Sequence, residues 1–478
     1  MKRIIITLLL SAGLFAVRAQ DPVRSAPPRL GPVKNLQLPP IQRFELPNGV
    51  KVLLMEKHSV PLVQVNLLIR TGSIHDPQGK EGLCAVTADM LDEGAGKFDA
   101  LQLADEIEFL GTQISTYAGT FSSGVNCLAP LSRLEPSLSL MADIVLRPRF
   151  DEAELERIRK LRLNGLLQNY DQPTVIAARA FSKFIFDAKS PYSRFPDEGS
   201  LKTLHRDDLL GFHKANVVSS NCTLLVVGDV TVNSMKPLLE KFFSSIPAGT
   251  TVMPIPPATS PVKKRVIYLV DKPGAAQSVI RIGRMGPARG EKDYYPNVVM
   301  NTILGGSFAS RLNSNLREQH GYSYGAGSNF YFWPVPGPFV ASSSVQTDVT
   351  APALKEFFNE FNAMRKPIPP ADLDRGRNYE ALSYAANFET NSSIADELDD
   401  LVIYSLPDNY FNAYINNILG ASGQLTEASA RKYITPETML IVVVGDRSKI
   451  EKGIKELNLG SLTVLSVEDV LGKKPVIE

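Results

Sequence analysis

The run Thr223–Asp229, TLLVVGD, recurs half a chain later as Met439–Asp446, MLIVVVGD. Each run follows one helical pattern and precedes another, as a fully buried strand would. The order of elements around the two runs repeats as well. RVIYLVDKPGAAQSVIRIG at 265–283 parallels the strand-like runs at 50–69, and YSYGAG at 322–327 parallels ISTYAG at 114–119. Repetition at half the chain length means a duplicated domain, because a solenoid repeats every 20–50 residues or so. The expected fold class is therefore α+β: two homologous domains, each a mixed or antiparallel sheet with helices packed on it. The domains span 41–248 and 265–478, joined by a Pro-, Ser- and Thr-rich linker at 249–264.

Local patterns fill in the first domain. Pro47-Asn48-Gly49 separates two strand-like runs and predicts a hairpin. Residues 61–72 are rich in branched apolar side chains and read as a strand. GLCAVTADMLDEG at 82–94 places Leu83, Val86 and Met90 at helical spacing, with Gly94 as a stop. Asp99 opens a second helix, strands follow near 112–128, and helices near 131–146, 151–170 and 173–186.

Composition narrows the function. Lys+Arg is 51 and Asp+Glu is 50 in 478 residues, a net charge of +1. So balanced a chain has no global pull on nucleic acid or anionic lipid. Three cysteines, Cys84, Cys127 and Cys222, exclude a disulfide framework. Cys84 is expected to be a buried structural thiol. The five histidines, at 58, 75, 205, 213 and 320, include no pair three to five apart. No serine-hydrolase elbow, phosphate loop or dinucleotide loop is visible. Lys2 and Arg3 precede an apolar run, Ile4 to Val17, with Ala19 at the end of a small-residue cut site. Residues 1–19 thus read as a secretory signal, and 20–40 as a Pro-rich tether. The expected location is the periplasm, with secretion as the alternative, and no membrane span is expected.

Four motifs stand in one order: LPNGVKVLL, GL-x6-ML-x2-G, LGGSFASRLNSNLREQHGYSYG, and the two VVGD strands. Together they resemble the pitrilysin/insulinase (inverzincin) metallopeptidases, in the mitochondrial-processing-peptidase-like bacterial branch. The resemblance covers about residues 41–460. It implies two halves, or two subunits, around a chamber that holds an extended peptide. One half carries zinc on an inverted H-x-x-E-H helix with a downstream glutamate. The other contributes an arginine and a tyrosine.

The metal-binding positions of that motif are substituted here. Ala85 and Asp89 stand at the two histidines, Ala88 at the catalytic glutamate and Gly165 at the third ligand. A catalytic zinc takes about three protein ligands and keeps one position open. By lowering the pKa of its water from about 15.7 to about 7, it supplies roughly 12 kcal/mol. A lone carboxylate at Asp89 cannot replace it. Asp89, Asp92 and Glu93 read instead as an acidic, solvated helix end. Arg317 and Tyr324 match the retained arginine and tyrosine, and Tyr322 replaces a usually aliphatic residue between them. Gly305 and Gly306 form either a loop on the substrate path or a plain connecting turn. The resemblance thus implies a non-catalytic member that binds no cofactor and lends Arg317, Tyr324 and half a chamber to a zinc-bearing paralogous subunit. Extended peptide would add as a strand to a sheet edge. The alternative is a peptide-binding or scaffold protein of the bacterial envelope with no peptidase role.

Overall fold

A computed structural model describes residues 31, 33–249 and 254–476. The expected signal at 1–19 and most of the tether lie outside the described residues. Among the described residues there are twelve strands. In the first half they are β1 (Gln42–Glu45), β2 (Lys51–Glu56), β3 (Leu62–Ile69), β4 (Gln113–Ala118), β5 (Ser123–Pro130) and β6 (Cys222–Gly228). In the second they are β7 (Val266–Asp271), β8 (Gln277–Met285), β9 (Ser323–Phe330), β10 (Pro338–Gln346), β11 (Leu440–Gly445) and β12 (Ser461–Leu465).

The two sheets share one plan. The first runs β1-β2-β6-β3-β5-β4 and the second β12-β7-β11-β8-β10-β9. The repeated VVGD runs are β6 and β11, each parallel to one neighbour and antiparallel to the other. Both are buried along their whole length, as continuous apolar runs demand. The Pro47-Asn48-Gly49 turn joins β1 to β2, with Gly49 at φ +88°. On β3 the alternation sends Val63, Val65 and Leu67 into the core with Val125, Leu224 and Val226. Gln64 and Asn66 take the opposite face.

Five helices frame the candidate sites: α1 (Leu83–Asp89), α2 (Glu152–Asn169), α3 (Pro173–Ile185), α4 (Asn391–Ile403) and α5 (Val467–Leu471). The helix expected over 82–94 stops early at α1, because the chain turns back through Gly94 and Gly96, both at positive φ. The halves also interlock. Ile176, Ala177 and Phe181 of α3, a first-half helix, pack into the second sheet with Val279 and Val442. A Cβ at Gly283 would collide with the Phe339 carbonyl and come within 2.8 Å of the Phe181 ring, so glycine lets α3 lie close. In return α4 crosses the outer face of β3. Asn391 donates to the Leu62 carbonyl (2.9 Å) and Ser392 to the Gln64 side chain (2.9 Å). The three cysteines are free and buried, and burial pushes the Cys84 thiol up to about 12. Among the described residues, no helix is long and apolar enough to cross a membrane.

Candidate functional site

The start of α1 is held by a buried carboxylate. Asp76 accepts from the backbone N–H groups of Gly82 and Cys84, both at 2.8 Å. Burial pushes the Asp76 carboxyl up to about 6. Leu83 and Val86 then turn into the core, and the remaining face carries Ala85 and Asp89 beside α2.

There a guanidinium meets the carboxylate. Arg162 of α2 donates from Nε to Asp89 Oδ2 and from Nη2 to Oδ1, both at 2.7 Å. The pairing is bidentate, the strong geometry for this couple. Next to it, Glu93 pairs with Arg157, which also holds Glu154 at 2.6 Å. The acidic, solvated helix end is therefore corrected: α2 supplies an arginine to Asp89 and another to Glu93. Burial pushes Asp92 up to about 6 and raises Asp89, against the pull of Arg162. Gly165 lies one turn beyond Arg162, and a Cβ there would meet nothing within 4 Å. This donor set does not fit a catalytic zinc. It offers one carboxylate, already engaged by a cation, where about three ligands are required. Among the described residues, no group of three His, Cys, Asp or Glu side chains converges as a metal site. Sequence reasoning missed Arg157 and Arg162; their shared helix with Gly165 was the available signal.

The second set of residues lies in the other half. Arg317 sits in the wide helical turn Ser314–Gln319. Its Nε contacts the neighbouring Glu318 at 3.2 Å, and its guanidinium lies 4.7 Å from the centroid of the Phe308 ring. Phe308 is 67% exposed, and Tyr324, near the start of β9, is 91% exposed. Neither Arg317 nor Tyr324 is committed to the core, so both remain available for contacts outside it. Close packing requires glycine at both Gly305 and Gly306. A Cβ on Gly305 would collide with the backbone of Ser328, and one on Gly306 would fall 2.7 Å from Asn301 Nδ2.

The two sheets differ at their free edges. The Gly119 N–H to Ser122 carbonyl bond (2.7 Å) sets the alternation of the β4–β5 ladder. By that parity the backbone groups of Ile114, Thr116 and Ala118 point away from β5. Among the described residues they have no hydrogen-bond partner. On β9 the equivalent edge is covered. Asn313 accepts from the Ala326 N–H (3.2 Å), and Asn301 donates to the Ser328 carbonyl (3.1 Å). An uncovered edge is a template for a further strand.

Residues 51–181 match the family described as Insulinase (Peptidase family M16), and residues 203–379 match its Peptidase M16 inactive domain. An uncharacterized zinc protease of Rickettsia bellii is 24% identical over 337 residues, 70% of this chain and 80% of that protein. The non-peptidase homolog YmxG of Helicobacter pylori is 23% identical over 398 residues, 81% of this chain and 90% of that one. Among solved structures, a peptidase M16 inactive domain from Pseudomonas fluorescens superposes with TM-score 0.79 at 24% identity. It covers 85% of this chain and 97% of its own.

Proposed function

From the premise that this chain belongs to peptidase family M16, we propose that it is the non-hydrolytic subunit of a two-subunit zinc peptidase. The observation that supports the reading is the Arg162–Asp89 pair, a fixed cation on the helix face to which the resemblance assigns the metal ligands. Zinc, the hydrolytic water and its general base then belong to a paralogous partner with an intact H-x-x-E-H helix. This chain holds no zinc and supplies half of the peptide chamber. Arg317 offers a planar fork of donors to a peptide carbonyl or carboxylate. Tyr324 offers a hydroxyl where negative charge develops on the substrate. An exported location, in the periplasm, goes with this reading.

The open edge of β4 favours a second element of the same reading. Extended peptide pairs with Ile114, Thr116 and Ala118 through main-chain hydrogen bonds, which gives affinity with loose sequence preference. A peptide-binding scaffold without a hydrolytic partner uses the same edge. Co-expression with an H-x-x-E-H paralogue separates the two. The subunit reading expects hydrolysis of an unstructured peptide only in the mixture, lowered at least about tenfold by Arg317→Ala and less by Tyr324→Phe. An inert mixture without association, from a chain that still binds peptide, leaves the scaffold reading.

A further inference from the structure

We propose that a pocket between the α2–α3 corner and the C-terminal tail is a binding site for a small organic carboxylate, gripped by Arg179. The pocket has a volume of about 220 Å³. Arg179 and Lys183 of α3 form one wall, and Leu166, Pro196, Val470 and Leu471 supply apolar surface.

Arg179 supplies the group that recognises the ligand. Its guanidinium lies 3.9 Å from the centroid of the Phe195 ring. Among the described residues it makes no hydrogen bond and no ion pair. A guanidinium carries five donors in a rigid fork. Burial lowers the Arg179 pKa, and no neighbouring carboxylate opposes that fall.

The acids that line the pocket are occupied elsewhere. Asp197 accepts from the Ser200 N–H at 2.7 Å, and Glu198 pairs with Lys202 at 2.7 Å. Lys183 donates to the Asp469 carbonyl at 2.6 Å, with the Asp469 carboxylate close enough to feel its charge. Three cations, Arg179, Lys183 and Lys473, line this partly apolar cavity. A planar fork suits a carboxylate bidentately. The apolar walls favour an acid with a hydrocarbon body over inorganic phosphate. The volume lies below the roughly 300–1,000 Å³ of drug-sized sites, so the acid is small. Bound there, it ties first-half helices to the tail after α5, which Tyr170 already touches through the Gly472 carbonyl (2.9 Å).

Titration calorimetry on the full chain at constant ionic strength tests this, with benzoate, benzamide and inorganic phosphate as probes. The expected result is one benzoate per chain with a dissociation constant of about 1 mM or tighter. Benzamide should bind at least about tenfold more weakly, and Arg179→Gln should weaken benzoate by about tenfold or more. Lys183→Gln, on the exposed side of the helix, should weaken it by about two- to threefold. Should Arg179→Gln fail to fold, Leu166→Glu places a carboxylate of the chain itself in the cavity and should abolish benzoate binding. The proposal is overturned by no saturable benzoate binding up to about 20 mM, by phosphate binding tighter than benzoate, or by affinity unchanged in either pocket variant.

Discussion

Asp89 and Gly165 stand at ligand positions of the family motif, and their surroundings make different predictions. Gly165 sits inside α2 with open space about its Cα. A mid-helix glycine costs about 0.5–1 kcal/mol relative to alanine. Gly165→Ala should therefore raise unfolding free energy by that amount in urea titration, and Gly165→Glu nearly as much. Arg162 predicts the reverse of a simple rescue. The fourfold variant Ala85→His, Ala88→Glu, Asp89→His, Gly165→Glu restores a ligand set but leaves a guanidinium beside it. A unit charge about 5 Å from a divalent ion costs several kcal/mol even at an effective dielectric near 20. Adding Arg162→Leu to the four should then tighten zinc binding by at least about a hundredfold, read by competition with a chromogenic chelator. Equal affinity with and without Arg162 would remove that arginine from the explanation.

At the scale of elements, the edge of β4 and the helix α4 carry the predictions. Thr116 points its N–H away from β5, so Thr116→Pro removes no ladder bond. The variant should fold within about 1 kcal/mol of the parent yet lose extended-peptide binding, by fluorescence anisotropy of a labelled peptide. On α4, Asp399 leaves Oδ1 without a partner, and burial with Asp396 and Asp400 nearby pushes its carboxyl up to about 8. Folding thus favours the protonated acid. Its contribution is full below the ordinary carboxylate pKa of about 4 and is lost as pH rises through about 8. Asp399→Asn should stabilise by roughly 1–2 kcal/mol at pH 9 and change little near pH 4. Elements such as β6, β11 and the β1–β2 hairpin were legible in the sequence, because unbroken apolar runs and a Pro-Asn-Gly turn are local signals. The seating of α3 and α4 was not. Periodicity shows that a helix has an apolar face, but not that the face lies on the other half's sheet. Arg162 was hidden for the same reason, 73 residues from Asp89 along the chain.

For the whole molecule, two sheets of one plan, interlocked by exchanged helices, keep the frame of a peptidase while one helix face pairs Asp89 with Arg162. One sheet edge is open and the other covered, and Arg317 and Tyr324 remain outside the core. The substituted motif positions came from the family resemblance, and the cation that pairs with Asp89 needed the fold. The most direct test is the metal content and peptide hydrolysis of the purified chain by itself. The account predicts substoichiometric zinc after exposure to excess metal and no hydrolysis above background, with or without chelator. One tightly held zinc per chain, together with hydrolysis that a chelator abolishes, would contradict it.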